Sequence, residues 1–305
     1  IVGVNKCKYK SLSIHCMDGK MPQSRPKGTH RRRYLFQEAL YRSEKSYEPV
    51  SYPAPLRQAF AQQILNGLEG KSLIVCEIGS HVGEQTAYVL RLARKVGTKI
   101  LDLALVEPSL VANQAPARLL EFVEDGLPKI HVYNKRAEEY FASCQTKFDL
   151  VYALGSIEYV TDPIELSALI KQSMAPSGKF IFTYHASYAE RLAIPAIAAS
   201  VALVLMILIG LHPVLILLCL LVGLPLLGYL IQCAHHKKLL DFRYTLVGFA
   251  HILSHIASGR YCMTKAGAQA VATEIGAKLG KIEYGLMGLW VFELTNKQYL
   301  EILRR

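Results

Sequence analysis

Apolar and polar positions fall into two periods along this chain. Leu56, Phe60, Ile64 and Leu68 recur at helical spacing and predict a helix over 56–68. The apolar run from residue 72 into Glu77 predicts a buried strand, closed by Gly79 and Gly83, with helical periodicity over 85–96. Strands are then expected at 100–106, 129–133, 148–154 and 179–184, with helices at about 109–124, 136–141 and 162–174 between them. Near the end, 264–279 predicts a helix with Thr264 as N-cap and Gly280 as its stop. Strands at 281–287 and 289–294 follow, joined at Gly288. A connection that short joins only antiparallel strands. The expected fold class is α/β: a Rossmann-like, doubly wound sheet with an antiparallel last strand pair.

The stretch between strand and final helix breaks this rhythm. Residues 192–211 are twenty without a charge, and 214–233 are twenty more, separated by His212 and Pro213. As helices each is about 30 Å long, the thickness of a bilayer's hydrocarbon core. A two-helix transmembrane hairpin is therefore expected. Arg191 precedes it and His235, His236, Lys237 and Lys238 follow, so the basic flanks share one side, which the positive-inside rule makes cytoplasmic. Leu239, Phe242, Leu246, Phe249, Leu253 and Ile256 then form an apolar stripe, predicting an amphipathic helix at 239–257 in the interface. The expected organisation is a basic arm at 1–50, a core at 51–185, an insert at 186–262 and the rest of the core at 263–305.

Charge and cysteines refine this picture. Of the net charge of +11, residues 1–50 hold eleven Lys or Arg against four Asp or Glu, with Arg25, Lys27, Arg31, Arg32 and Arg33 close together. That arm is either a solvated segment or a phosphate contact, and an anionic leaflet accounts for it. A nucleic-acid role finds no aromatic residues interleaved with the basic cluster. Seven scattered cysteines with no C-x-x-C pair argue against a disulfide framework and a zinc site, and for a reducing compartment. His251 and His255 lie four apart but have no third ligand at usable spacing, so no metal is expected.

The chemistry centres on 72–84. Glycines at 79 and 83 between strand and helix allow backbone N–H groups to approach a polar ligand, and Glu107 stands at the end of the next strand, placed to accept from ribose hydroxyls. Glu77-Ile78-Gly79-Ser80-His81-Val82-Gly83 resembles the E/D-x-G-x-G-x-G motif of class I S-adenosylmethionine-dependent methyltransferases. Phe148-Asp149-Leu150-Val151-Tyr152-Ala153-Leu154 and Ile157-Glu158-Tyr159-Val160-Thr161-Asp162-Pro163 resemble that family's fourth strand and following loop. Ala175-Pro176-Ser177-Gly178 resembles its turn into strand five. The resemblance covers roughly residues 55–185 and 262–295.

It implies S-adenosylmethionine as cofactor, bound by Glu77, Gly79, Ser80, His81, Gly83, Glu107, Pro108, Arg136, Ala137, Leu154 and Gly155. Two departures stand out. His81 replaces the middle glycine and is expected to crowd the cofactor, and Arg136 stands where many members have an aspartate for the adenine amine. Methyl transfer needs positioning and, for a hydroxyl acceptor, a general base. Catalytic candidates at the carboxyl ends of the strands are His185, Tyr159 and Glu158, where related enzymes commonly carry Glu-His in place of Glu158-Tyr159. The expected function is a membrane-anchored methyltransferase on the cytoplasmic face, its partners the bilayer and a lipid, lipid-linked or membrane-presented acceptor. The alternative is a catalytically silent scaffold of the same fold.

Overall fold

The computed structural model describes residues 52–122, 126–160, 162–186, 263–284 and 287–296, with isolated positions between 201 and 230. Helix α1 (Ala54–Leu65) leads into β1 (Ser72–Ile78), α2 (Glu84–Lys95) and β2 (Lys99–Val106). A 3-10 turn (Leu110–Gln114) then precedes α3 (Ala115–Phe122), β3 (Lys129–Tyr133), α4 (Ala137–Ser143) and β4 (Phe148–Ala153). A second 3-10 turn (Ile157–Tyr159), α5 (Pro163–Gln172) and β5 (Met174–His185) complete the first part. Helix α6 (Lys265–Ile275), β6 (Lys278–Tyr284) and β7 (Met287–Thr295) complete the sheet from beyond the insert.

The seven strands lie in the order β3-β2-β1-β4-β5-β7-β6. Pairs among the first five are parallel, and β7 runs antiparallel to both β5 and β6. The expected antiparallel pair is present, with β7 alone reversed. Apolar side chains fill both faces. Phe60, Ile64, Val89 and Leu119 pack under α1, α2 and α3. Tyr140, Leu166, Ile170 and Ala272 pack under α4, α5 and α6 on the other face. Burial on both faces is why the central strands read as near-continuous apolar runs.

Two boundaries differ from the expectation. The last helix ends at Ile275 because Gly276, at φ 67, takes the left-handed cap position. Leu279 and Gly280, read as the helix end and its stop, instead pair with Phe292 and Val291 in the β6–β7 ladder. Gly288 is therefore not the connection: it pairs with Glu283 inside the ladder, which continues to Tyr284↔Met287. The turn at 175–178 lies inside β5: the register jumps between Phe148↔Met174 and Leu150↔Lys179.

The basic arm, most of the hairpin at 192–211 and 214–233, and the helix at 239–257 lie outside the described residues. Among the described residues no helix is long and apolar enough to cross a membrane. The described positions Val201, Val204, Met206 and Leu230 are helical, and Val201, Val204 and Leu230 are more than half exposed. Where the insert leaves the sheet, Ala186 forms a parallel bridge with Met263. The Met263 N–H donates to the His185 carbonyl at 2.8 Å, and the Trp290 indole donates to the Met263 carbonyl at 2.8 Å. Both ends of the insert are thus tied to the sheet at one point, immediately beyond His185.

Candidate active site

The parallel strands deliver their last residues to one edge of the sheet, where ligands of such folds sit. At the end of β1, Gly79 takes φ 73 and its N–H donates to the Val106 carbonyl of β2. Gly83, at φ 83, caps α2. Between them His81 has φ 48, the one non-glycine residue in the left-handed region among those described. His81 adopts the backbone conformation that the missing glycine would supply, at about 1–2 kcal/mol, and it still lines the pocket. Its N–H donates to Glu107 Oε2 at 3.3 Å.

Glu107 closes β2, with Ser109 N–H on Oε1 at 3.0 Å. Burial raises its carboxyl pKa, opposed by the Ser109 and His81 N–H groups. Glu77 is deeper, 1% exposed, accepting from the Thr86 hydroxyl and from Tyr152 Oη at 2.9 Å. Burial pushes its pKa up to about 7, against those two hydrogen bonds and the charge of Arg57. The pocket above Glu77 is lined by Tyr52, Arg57, Glu77, Ser80, His81 and Gln85.

Gly79 and Leu154 also line this pocket. Gly155 follows at φ 64, its N–H on Thr183 Oγ1 at 2.8 Å, and the Tyr52 hydroxyl occupies the space a side chain there would need. Pro108 is half-buried after β2. Arg136 is the half-buried N-cap of α4 and makes no side-chain capping bond, while Ala137 is buried beneath it.

Toward β5 lies a second set of groups. His185 ends the strand, 1% exposed, with Nδ1 against Glu158 Oε1. The His185 backbone N–H donates to the same oxygen at 2.6 Å. His185 Nε2 faces the Tyr52 hydroxyl at 2.9 Å, and the two rings stack with centroids 5.6 Å apart. Glu158 and His185 are thus brought together, and the third member is Tyr52. Tyr159 is half-buried on the 3-10 turn, its N–H on the Ser156 carbonyl.

A family model for a methyltransferase domain matches residues 46–213, more than half of the chain. The chain belongs to the methyltransferase domain family. No curated protein matches the sequence. Among solved structures, this methyltransferase is similar to the N-methyltransferase NodS of Bradyrhizobium japonicum bound to S-adenosylhomocysteine. The two are 13% identical over 86% of this chain and 97% of that one, at a TM-score of 0.46. It is also similar to the magnesium protoporphyrin IX methyltransferase of Synechocystis bound to S-adenosylhomocysteine. Here identity is 13% over 87% of this chain and 94% of that one, at a TM-score of 0.43.

The methyltransferase uses S-adenosylmethionine, and its buried polar atoms fit that group. Four buried side-chain atoms lack a hydrogen-bond partner among the described residues: Ser80 Oγ, His81 Nδ1, Gln85 Oε1 and Glu158 Oε2. An orphaned buried polar atom costs about 1–3 kcal/mol, and three of these residues, Ser80, His81 and Gln85, line the one pocket, which marks where a polar ligand belongs. Glu107 would hold the ribose hydroxyls, and the turn at 79–83 would take the close backbone approach. When bound, the cofactor supplies an electrophilic methyl group on a cationic sulfur.

Sequence reasoning missed Tyr52, Arg57 and Gln85. Arg57 is buried at 5% by an ion pair with Glu84 at 2.5 Å, and its Nε donates to the Tyr52 carbonyl at 3.2 Å. Its place beside Pro55 at the start of a helix gave no sign of burial. Glu84, facing it at the first turn of α2, was the available signal.

Glu77 sets a pH dependence. Its pKa of about 7 lies above the ordinary 4.5, so the folded state binds its proton more tightly than the unfolded chain. The stability this contributes is fully present below about 4.5 and is lost as pH rises through about 7. Against Glu77→Gln, the wild type should lose on the order of 3 kcal/mol across that window, at 1.36 kcal/mol per unit. Urea unfolding of both proteins at pH 5 and 8 checks this. Parallel behaviour of the two would contradict it.

Proposed function

We propose that this methyltransferase is anchored in a membrane, with its catalytic domain on the cytoplasmic face, and methylates a lipid, lipid-linked or membrane-presented acceptor. The single observation that carries the reading is the root of the insert. Residue 186 leaves and 263 returns at one bridge beside His185, on the edge that bears Gly79 and Glu107. The insert carries the two uncharged twenty-residue stretches, and a hairpin of that length rooted there draws the catalytic edge toward the bilayer. Exposed helical Val201, Val204 and Leu230 are in keeping with a lipid-facing surface. In this reading His185 is the general base, Glu158 orients it and Tyr159 flanks the acceptor. The amphipathic stripe at 239–256 lies along the acceptor's route.

Replacing 192–233 by a short Gly/Ser linker should move most of the protein to the soluble fraction while the core stays folded. The fractions are read by sedimentation after lysis. Wild-type protein that is soluble without detergent would overturn the anchoring.

A further inference from the structure

We infer that Tyr52 is the acceptor-side member of a proton relay, Tyr52–His185–Glu158, and that the methyl acceptor is a hydroxyl. The inference rests on the reading of His185 as base and adds the group that touches the substrate.

The hydrogen-bond directions follow from the partners. Glu158 Oε1 receives the His185 backbone N–H at 2.6 Å and faces His185 Nδ1. A carboxylate only accepts, so Nδ1 carries the ring proton and Nε2 is the lone-pair nitrogen. The Tyr52 hydroxyl, 2.9 Å from Nε2, is then the donor. Glu158 and His185 are both buried, at 8% and 1% exposure, whereas Tyr52 is half-buried and lines the cofactor pocket. His185 Nε2 is thus covered on its pocket side by the Tyr52 phenol, which stacks on the imidazole. A proton leaving an acceptor in the pocket reaches His185 through Tyr52. The Tyr52 ring is fixed on its other sides by contact of its hydroxyl with Gly155 and by the Arg57 guanidinium 5.7 Å from its centroid.

The step balances as two coupled transfers. The acceptor O–H proton moves to the Tyr52 oxygen while the Tyr52 proton moves to His185 Nε2. The resulting imidazolium is paired with the Glu158 carboxylate, and the acceptor oxygen keeps the bonding pair with which it attacks. On product release His185 returns the proton to solvent by the reverse path. A relay that ends on an imidazole suits an oxygen acid, since a neutral amine attacks with a pair it already holds. Tyr52 is a catalytic residue here and Glu158 a positioning residue.

The relay is tested first without any acceptor. Full-length protein labelled with nitrogen-15 histidine in detergent micelles should show His185 with Nδ1 protonated and Nε2 as acceptor. Tyr52→Phe should shift the Nε2 resonance and Glu158→Gln should disturb the tautomer. A proton on Nε2, or an Nε2 resonance indifferent to Tyr52→Phe, overturns the relay. The second arm follows transfer of labelled methyl to para-dodecylphenol and to dodecylamine in mixed micelles. The phenol should be methylated, and Tyr52→Phe should lower that rate by about 10²–10⁴-fold with cofactor affinity unchanged. Methylation of the amine alone, or of neither, overturns the hydroxyl assignment. Because both arms run in detergent, their outcome is independent of the anchoring. Failure of the linker replacement to release the protein's membrane hold leaves them standing.

Discussion

His185→Ala should lower kcat by about 10²–10⁴-fold and leave the affinity for S-adenosylmethionine nearly unchanged. The separation follows from the layout of the pocket. His185 stands at the end of β5, where it is held by Glu158 and the Tyr52 hydroxyl. Its removal strips the base while the cofactor side keeps its donors. Glu158→Gln should follow the same direction by a smaller factor, because the amide still accepts the His185 backbone N–H but no longer stabilises an imidazolium. The measurement is methyl transfer in mixed micelles, paired with calorimetric titration of the cofactor. Equal losses in kcat and in cofactor affinity would place His185 in the cofactor site instead.

Gly79→Ala should abolish measurable cofactor binding and destabilise the fold. At φ 73 an alanine costs about 1–2 kcal/mol in the left-handed region. Its Cβ would overlap the Ser156 side chain, whose hydroxyl donates to the Ile78 carbonyl at 2.7 Å. Displacing that serine forfeits a further ~1 kcal/mol and moves the turn. Gly70→Ala separates the two effects, since Gly70 has φ 69 but open space around a Cβ. It should pay the backbone cost alone and keep cofactor affinity. Thermal unfolding and titration of both variants check this, and equal behaviour of the two would contradict the packing argument.

Much of the fold was legible because buried parallel strands leave long apolar runs that glycine turns punctuate, as at 72–79 and 100–106. Spacing along the chain also placed Gly79, Gly83 and Glu107 together, since successive βα units bring their strand ends to one edge. What local sequence could not carry was pairing across distance. Tyr52 meets His185 from 133 positions away, and nothing near Tyr52 signals that contact. Glu158 and His185 were each named as candidates, but their pairing, Glu158 on the loop and the histidine at the end of β5, was not legible from either stretch alone. The end of the last helix was misread because Gly276 and Gly280 are both plausible stops, and only the β6–β7 ladder decides between them. His81 stands where the family motif has a glycine. Its backbone takes the glycine conformation, a choice that residue type alone does not reveal.

Label depth in bilayers measures directly the proposed orientation, in which the carboxyl edge of the sheet faces the membrane. Leu110 is 39% exposed on the turn after β2, at the carboxyl edge, and Ser177 is exposed at the opposite edge. Spin labels at these two positions, in protein reconstituted in vesicles, should place position 110 nearer the headgroups than position 177. Position 177 nearer the headgroups would contradict the orientation, and with it the argument for an acceptor that arrives from the membrane.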